Sequence, residues 1–355
     1  MRAREAAQRW LQDIWYGPAS APWSLRMLAA IYAGAMRLRT GAYHAQLLPQ
    51  RGGGRPLIVV GNLTVGGSGK TPLVIWTCEQ LRALGVSPGI ILRGYGGSAA
   101  QGGGVHRVDT RSDPRVVGDE AVLLAQRTGA PVVVGGDRVA AARELARTPV
   151  DVIVADDGLQ HLRLARDLEW VVIDAARGLG NGRLLPAGPL RESPARLAEV
   201  QALILNGVTG DAAPLPATGA VPQFHMRLVG EQLCALDGSG RQVDLTSLAG
   251  RAVHAVAGIG DPARFFRQLR AAGLTLTEHP FSDHHGYRRE ELLFDDGLPV
   301  LMTEKDAVKC RLLGLHEAWY LPVSASFPVA EAVALRALLH ALVMRAASLT
   351  EVSSS

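Results

Sequence analysis

Residues 56–72, PLIVVGNLTVGGSGKTP, constrain this chain more than any other stretch. An apolar run, Leu57 to Val60, leads into a glycine-rich turn that closes in Gly69-Lys70-Thr71, and a helix-like stretch follows. Strand, glycine loop and helix in that order are the context a phosphate-cradling P-loop requires. Glycines let backbone N–H groups crowd around phosphate oxygens, and the helix N-terminus adds a partial positive charge. Thr64, Gly66, Gly67, Ser68, Gly69, Lys70 and Thr71 are the expected cradle, with Lys70 reaching the outer phosphates and the Thr71 hydroxyl available to Mg²⁺. The pattern G-x-x-x-x-G-K-[ST] puts Thr64 where its first glycine belongs, and the doubled Gly66-Gly67 can take over the tight turn.

The order of elements around this loop sets the fold class. Apolar strands are expected at 89–92, 131–134, 152–155, 168–173 and 202–205, with helices at 73–84, 118–127 and from 137 on. Such alternation gives an α/β fold, a P-loop NTPase-like core with a mostly parallel sheet covered on both faces. A smaller second α/β unit follows, with strands at 253–257, from 276, and 299–303, and a helix at 263–272. The expected divisions are N-terminal helices over 1–48, a P-loop domain over 49–220, a smaller C-terminal domain over 221–328, a helix over 329–347 and a disordered tail over 348–355. Residues 207–222, rich in Gly, Pro and Ala, read as a linker.

Length and composition limit the partners. A chain of 355 residues, 48% hydrophobic, has room for about two domains. Its net charge of +4 is mild, and no run of five like charges provides a nucleic-acid tail. Nucleic acid is therefore not expected as a partner. Cys78, Cys234 and Cys310 lie far apart with no C-x-x-C spacing, and read as buried thiols of a reducing compartment. Of the 37 Lys and Arg side chains only three are lysines, Lys70, Lys305 and Lys309, and these mark candidate places where a compact ammonium is wanted rather than a planar guanidinium.

Residues 1–48 carry Trp10, Leu11, Ile14 and Trp15 at helical spacing, then Trp23, Leu25, Met27, Leu28, Ile31, Tyr32 and Met36 with Arg26, Arg37 and Arg39 among them. The apolar run is too short to span a bilayer. It reads either as a hairpin packed on the main domain or as an interfacial pair with Trp in lipid and Arg on headgroups, and the second reading is preferred.

Several polar groups fall at strand ends, where ligands of parallel sheets bind. Asp156-Asp157 after an apolar strand resembles a Walker-B element that holds Mg²⁺. Asp119 and His284 suit a carboxylate–imidazole base for an acceptor hydroxyl. Arg191-Glu192 can pin a phosphate and share the metal. Asn62 and Arg93 belong to the same crevice on the substrate side. Glu304-Lys305-Asp306 does not satisfy the guanine-reading N-K-x-D pattern, because Asp306 directly follows Lys305, and this weakens a GTPase reading.

VGNLTVGGSGKTP, RGYGG, VGDE, DDGLQH, LLPAGPLRE, FSDHHGY and TEKDAVK occur in the order seen in the tetraacyldisaccharide 4'-kinases of lipid A biosynthesis, which this chain resembles to about residue 325. In that family Thr in the first P-loop position is normal. The resemblance implies transfer of the ATP γ-phosphate to the 4'-hydroxyl of a tetraacyldisaccharide 1-phosphate, with ATP and Mg²⁺, to give lipid IV-A. It implies an enzyme bound peripherally to the cytoplasmic face of the bacterial inner membrane, with two α/β domains joined by a two-stranded hinge; the oligomeric state is left open, with a monomer favoured. Carried over by motif, Asp119 and His284 are the base dyad, with Lys70 and Thr71 on phosphate and Mg²⁺. Asp156 or Asp157 with Glu192 completes the metal site. Tyr95, Arg138, Gln160, His161 and Arg191 lie near substrate or nucleotide, and Asp283 orients His284. The alternatives are a P-loop kinase or ATPase acting on a soluble metabolite, and a GTP-dependent nucleotide switch.

Overall fold

Along the first apolar strand, side chains alternate between two packed faces. Ile58 and Val60 enter one core, Leu57 and Val59 the other, as the two-residue period of a strand demands. A computed structural model shows the architecture built on that strand and describes residues 2–101, 103–207, 215 and 219–354. Most of the expected linker at 207–222 lies outside the described residues.

The chain begins with α1 (Arg2–Tyr16) and α2 (Trp23–His44). The first unit then runs β1 (Leu57–Gly61), α3 (Lys70–Ala83), β2 (Pro88–Leu92), β3 (Val105–Val108), α4 (Pro114–Val117), α5 (Asp119–Thr128), β4 (Val132–Gly135), α6 (Arg138–Leu145), β5 (Val152–Asp156), β6 (Leu168–Asp174), β7 (Ala202–Asn206) and β8 (Gln223–Val229). The second comprises β9 (Gln232–Ala235), β10 (Gln242–Asp244), β11 (Ala252–Ala257), α7 (Pro262–Ala271), β12 (Thr275–Pro280), β13 (Val300–Thr303), α8 (Glu304–Cys310) and β14 (Ala318–Leu321). The chain closes with β15 (Ser324–Ser326) and α9 (Val329–Ser354).

The strands form a nine-stranded sheet, ordered β15-β8-β7-β6-β1-β5-β2-β4-β3, and a six-stranded one, ordered β10-β9-β14-β13-β11-β12. In the large sheet only β3 and β15 run antiparallel to their neighbours. Helices α3, α5 and α9 cover one face and α6 covers the other. Burial on both faces explains why β1, β2, β4, β5 and β7 read as continuous apolar runs.

Strand β8 pairs with β7 of the large sheet, although residues 221 onward were expected to begin the second domain. Its partner on the other side is β15, so the chain leaves the large sheet on β8 and returns on the edge strand beside it. After β15, α9 lies on α3, with Leu335, Leu339 and Leu342 fully buried in the shared core. Burying each such side chain contributes roughly 1.5–3 kcal/mol. No Gly or Pro interrupts α9, and it continues to Ser354 through the stretch expected as a disordered tail.

Helices α1 and α2 rest on the first unit through Ile14, Ala21 and Ala29, which meet Ala187. The Trp15 indole donates to the Pro186 carbonyl at 3.0 Å, and Tyr32 donates to the Arg191 carbonyl at 2.8 Å. The outer face of α2 stays apolar, with Trp23 75% and Ile31 63% exposed beside Met27, Leu28 and Leu38. Among the described residues no helix is long and apolar enough to cross a membrane. Cys78 and Cys310 are buried thiols as expected, whereas Cys234 is partly exposed, because it lies near the edge of the small sheet.

Candidate active site

The glycine loop takes the conformation its sequence demands. Gly69 has φ +91° and Gly66 φ +113°, a region L side chains rarely adopt. A Cβ at Gly69 would lie 2.3 Å from Asn206 Nδ2, and that amide donates to the Ser68 carbonyl at 2.8 Å. Asn206 ends β7 and so braces the loop from beneath. Lys70 and Thr71 open α3, with the free N–H groups of its first turn facing the loop.

At the end of β5 the two aspartates differ. Asp157 (φ +53°) accepts both guanidinium arms of Arg191, at 3.0 and 2.8 Å, and lies 3.7 Å from Lys70. Burial pushes its carboxyl up, but Lys70 and Arg191 outweigh this and hold it well below the usual carboxylate range. Asp156 is fully buried, and neither carboxyl oxygen has a hydrogen-bond partner among the described residues. Burial, with Glu120 nearby, pushes it up to about 7. An orphaned carboxylate at this position fits a hard divalent cation. No cluster of three or more metal-ligating side chains is present among the described residues. Further ligands would then be phosphate and water oxygens, the usual Mg²⁺ pattern.

Glu192 accepts from Gln160 at 2.7 Å and lies 3.6 Å from Arg196, and burial raises its carboxyl. Asn62 ties these groups together. Its side chain accepts from Lys70 at 3.1 Å and from Arg191, and its amide donates to the Thr64 carbonyl at 2.8 Å. Beside them, Arg138 is buried at the start of α6 with its Nε unpartnered, and burial draws it down to about 10. His161, half-buried near Arg138 and Arg93, is held down to about 4 by its partial burial and by those two cations. A buried guanidinium with an open donor, next to a second Arg and a neutral imidazole, suits an anionic or polyhydroxyl ligand.

The second unit brings His284 to this edge. Its Nδ1 donates to Asp119 at 3.0 and 3.1 Å, although 165 residues separate the two. Asp119 begins α5 and is only 4% exposed. Burial pushes Asp119 up, but the His284 hydrogen bond and Lys305 and Lys309 hold it down to about 2. Burial draws His284 down, and its bond to Asp119 more than compensates, so its pKa is raised above the usual 6.5. The Tyr95 ring lies 5.0 Å from the His284 ring. Asp283 does not hold the imidazole directly. Its carboxylate lies 3.8 Å from Nε2, accepts the His284 backbone N–H at 3.0 Å and pairs with Lys305 at 3.1 Å.

Five of the groups gathered here were not assigned from the sequence: Glu120, Asn206, Arg264, Lys305 and Lys309. Glu304-Lys305-Asp306 opens α8, capped by Thr303. From α8, Lys305 reaches Glu120 at 3.1 Å and Lys309 lies 3.7 Å from Asp119. The scarcity of lysine was the available signal, since two of the three lie at the dyad and the third in the P-loop. Arg264 of α7 donates to Asn206 Oδ1 at 2.9 Å. That contact joins the second unit to the brace of the P-loop.

Comparison with known proteins points to one family. The family profile described as tetraacyldisaccharide-1-P 4'-kinase matches residues 21–343. The tetraacyldisaccharide 4'-kinase of Alkalilimnicola ehrlichii is 51% identical over 302 residues, covering 85% of this chain and 88% of its own. That of Methylobacillus flagellatus is 46% identical over 323 residues, covering 90% and 93%. Among solved structures, LpxK from Aquifex aeolicus in complex with ATP superposes with a TM-score of 0.74 at 28% identity, over 90% of this chain and 98% of that one.

Proposed function

The chain belongs to the tetraacyldisaccharide-1-P 4'-kinase family, and from that premise we propose how its own residues carry out the reaction. It is an ATP-dependent lipid kinase that transfers the γ-phosphate to the 4'-hydroxyl of tetraacyldisaccharide 1-phosphate. ATP lies with its β- and γ-phosphates against the N–H groups of residues 64–71 and with Lys70 at the transferring group. Asp156 and Thr71 would hold Mg²⁺, with Glu192 as a further carboxylate of the set, and the metal would supply charge neutralisation at the transferring phosphate.

The observation that carries the acceptor half is the bond between His284 Nδ1 and Asp119. With Nδ1–H committed to the carboxylate, Nε2 bears the free lone pair and faces the acceptor. As the new P–O bond forms and the bond to the β-phosphate oxygen breaks, Nε2 takes the 4'-hydroxyl proton and Asp119 stabilises the imidazolium. ADP leaves, and Lys70 stabilises the charge on the moving phosphoryl group. The buried Arg138, with Arg93, Gln160, His161 and Arg191, orients the sugar and its anionic group.

The exposed Trp23, Met27, Ile31 and Leu38 lie in the boundary of a lipid surface, the cytoplasmic face of the bacterial inner membrane, where this acyl-chained acceptor resides. Two functional domains meet at the site, one built on each sheet.

The test is transfer of ³²P from γ-labelled ATP to tetraacyldisaccharide 1-phosphate in mixed micelles. Wild type is expected to label the lipid, Lys70→Ala to abolish labelling with the fold intact, and Asp119→Ala and His284→Ala each to lower the rate ~10²- to 10⁴-fold. The double variant is expected to be hardly slower than either single one. Additive losses would argue against a coupled pair, and unaltered rates in all variants would refute the site.

A further inference from the structure

Two carboxylates flank the His284 imidazole, Asp119 on Nδ1 and Asp283 toward Nε2, and a third, Glu120, is joined to the same cluster through Lys305. Such a setting normally destroys a base. An imidazole with a carboxylate at each nitrogen is held as imidazolium and has no lone pair to offer. Asp283 Oδ1 lies 3.8 Å from Nε2, one small side-chain movement from such a clamp.

Lys305 occupies the position that prevents it. Its ammonium lies 3.1 Å from Asp283 Oδ1, 3.1 Å from Glu120 Oε1 and 3.5 Å from His284 Nε2. Two of its three protons are thereby committed, and the side chain is 16% exposed. We propose that Lys305 is a positioning residue of the transfer step: from α8 it draws Asp283 and Glu120 away from His284 and keeps Nε2 open to the acceptor hydroxyl. The inference rests on the reading of His284 as the base.

The remaining groups around the imidazole fit this assignment. Lys309, also on α8, is turned away from the ring. It lies 2.9 Å from Asp306 and 5.0 Å over the Tyr287 ring, and reaches the dyad only through Asp119 Oδ2 at 3.7 Å. Tyr95 covers one side of the ring and has no charge at neutral pH. On α5 the charged groups are Asp119 and Glu120, and on the ring's own loop the group is Asp283. Lys305 is therefore the only cation among the described residues within 4 Å of Nε2. Because Glu120 belongs to the first unit and Asp283 to the second, the arrangement is complete only when the units meet. The base is thus freed at the moment the site closes.

The experiment is the pH profile of kcat/KM for Lys305→Met, with Asp119→Asn and His284→Ala measured alongside. Without the ammonium, Asp283 and Glu120 favour the protonated imidazole, so the acid limb moves to higher pH. The loss is expected to be about 10²-fold near pH ~6.5 and roughly tenfold smaller near pH ~9. Asp119→Asn moves the same limb the other way. Lys305→Arg retains a cation and is expected to restore the position of the limb. NMR titration of labelled His284 in ATP-bound Lys305→Met gives a second reading that does not depend on turnover. A uniform loss across pH with an unmoved limb and an unmoved His284 titration would overturn the inference and leave His284 as base intact. An unimpaired His284→Ala would instead overturn the reading on which it rests.

Discussion

Asp156 ends β5 with both carboxyl oxygens shut away from solvent and from every donor among the described residues. A buried polar group without a partner costs about 1–3 kcal/mol. Burial raises its folded-state pKa to about 7, far above the range of an unfolded chain. Between about pH 4 and pH 7 the folded state therefore binds more protons than the unfolded one, and stability falls as pH rises through that window. Asp156→Asn abolishes this fall. In ligand-free protein with chelator, the variant is expected to melt roughly 2–6 °C above wild type near pH ~8, with the advantage shrinking toward pH ~5. Mg²⁺-dependent transfer should be lost. A variant that melts at or below wild type near pH ~8 would show that the carboxylate has a stabilising partner after all. Stability given up at one residue for the chemistry of a site is common in enzymes.

Helix α2 shows how an element can hold two roles at once. Ala29 is its one buried residue among those described, and small side chains at the contact let the helix lie close on the loop that carries Leu190 and Arg191. The opposite face shows Trp23, Met27, Ile31 and Leu38. The two readings of residues 1–48, packed hairpin or interfacial pair, are therefore compatible. Tyr32 bonds to the Arg191 backbone and Arg39 to the Gln160 carbonyl at 3.0 Å, so the helix with the exposed apolar face touches the backbone of the site. Trp23→Ser with Ile31→Ser removes apolar area that the fold does not bury. Co-sedimentation with anionic vesicles is expected to weaken about 10²-fold or more, at roughly 1.5–3 kcal/mol per lost side chain, while the melting temperature stays within a degree or two. Undiminished vesicle binding would move the membrane contact elsewhere.

At the scale of the molecule, two sheets meet over one loop. A Cβ at Gly260, after β11, would lie 2.9 Å from the Gly67 backbone nitrogen, so the second unit touches the P-loop where no side chain fits. Around this contact Arg177 pairs with Asp261 at 3.2 Å, and Arg127 with Glu304 at 2.6 Å. β8 and β15 provide the covalent crossing, and α9 secures the return. Closure that excludes water protects ATP from hydrolysis. Gly260→Val cannot close without displacing the P-loop backbone. It is expected to lower kcat roughly 10²-fold, because a misplacement of about 1 Å can cost that much, while ATP affinity changes little. Small-angle scattering with ATP should show a more extended particle than wild type. Wild-type kcat in the variant would mean that catalysis does not need this contact.

What the sequence determined by itself was local. The strand, glycine loop and helix of residues 57–83 were legible because each rests on neighbouring residues: an apolar run, glycines at positive φ, and a Lys-Thr helix start. The buried strands of the large sheet were legible for the same reason, since burial on both faces leaves an unbroken apolar run. Strands β3, β9, β10 and β15 were not, because short strands at or next to a sheet edge carry mixed side chains and take their identity from their partners. The candidate site divides along the same line. Residue types at a strand end marked Asp156 and Asp157 as chemical, and a helix start marked Asp119, but no spacing could say that Asp157 is engaged by Arg191 while Asp156 has no hydrogen-bond partner among the described residues. Nor could it say that Asp119 meets His284 across 165 residues. Lysine scarcity singled out Lys305 and Lys309, yet their purpose appeared only once α8 was laid against α5. Pairing across the two units depends on a closure that no local segment encodes, and for that reason only the tertiary structure decided how the acceptor half is assembled.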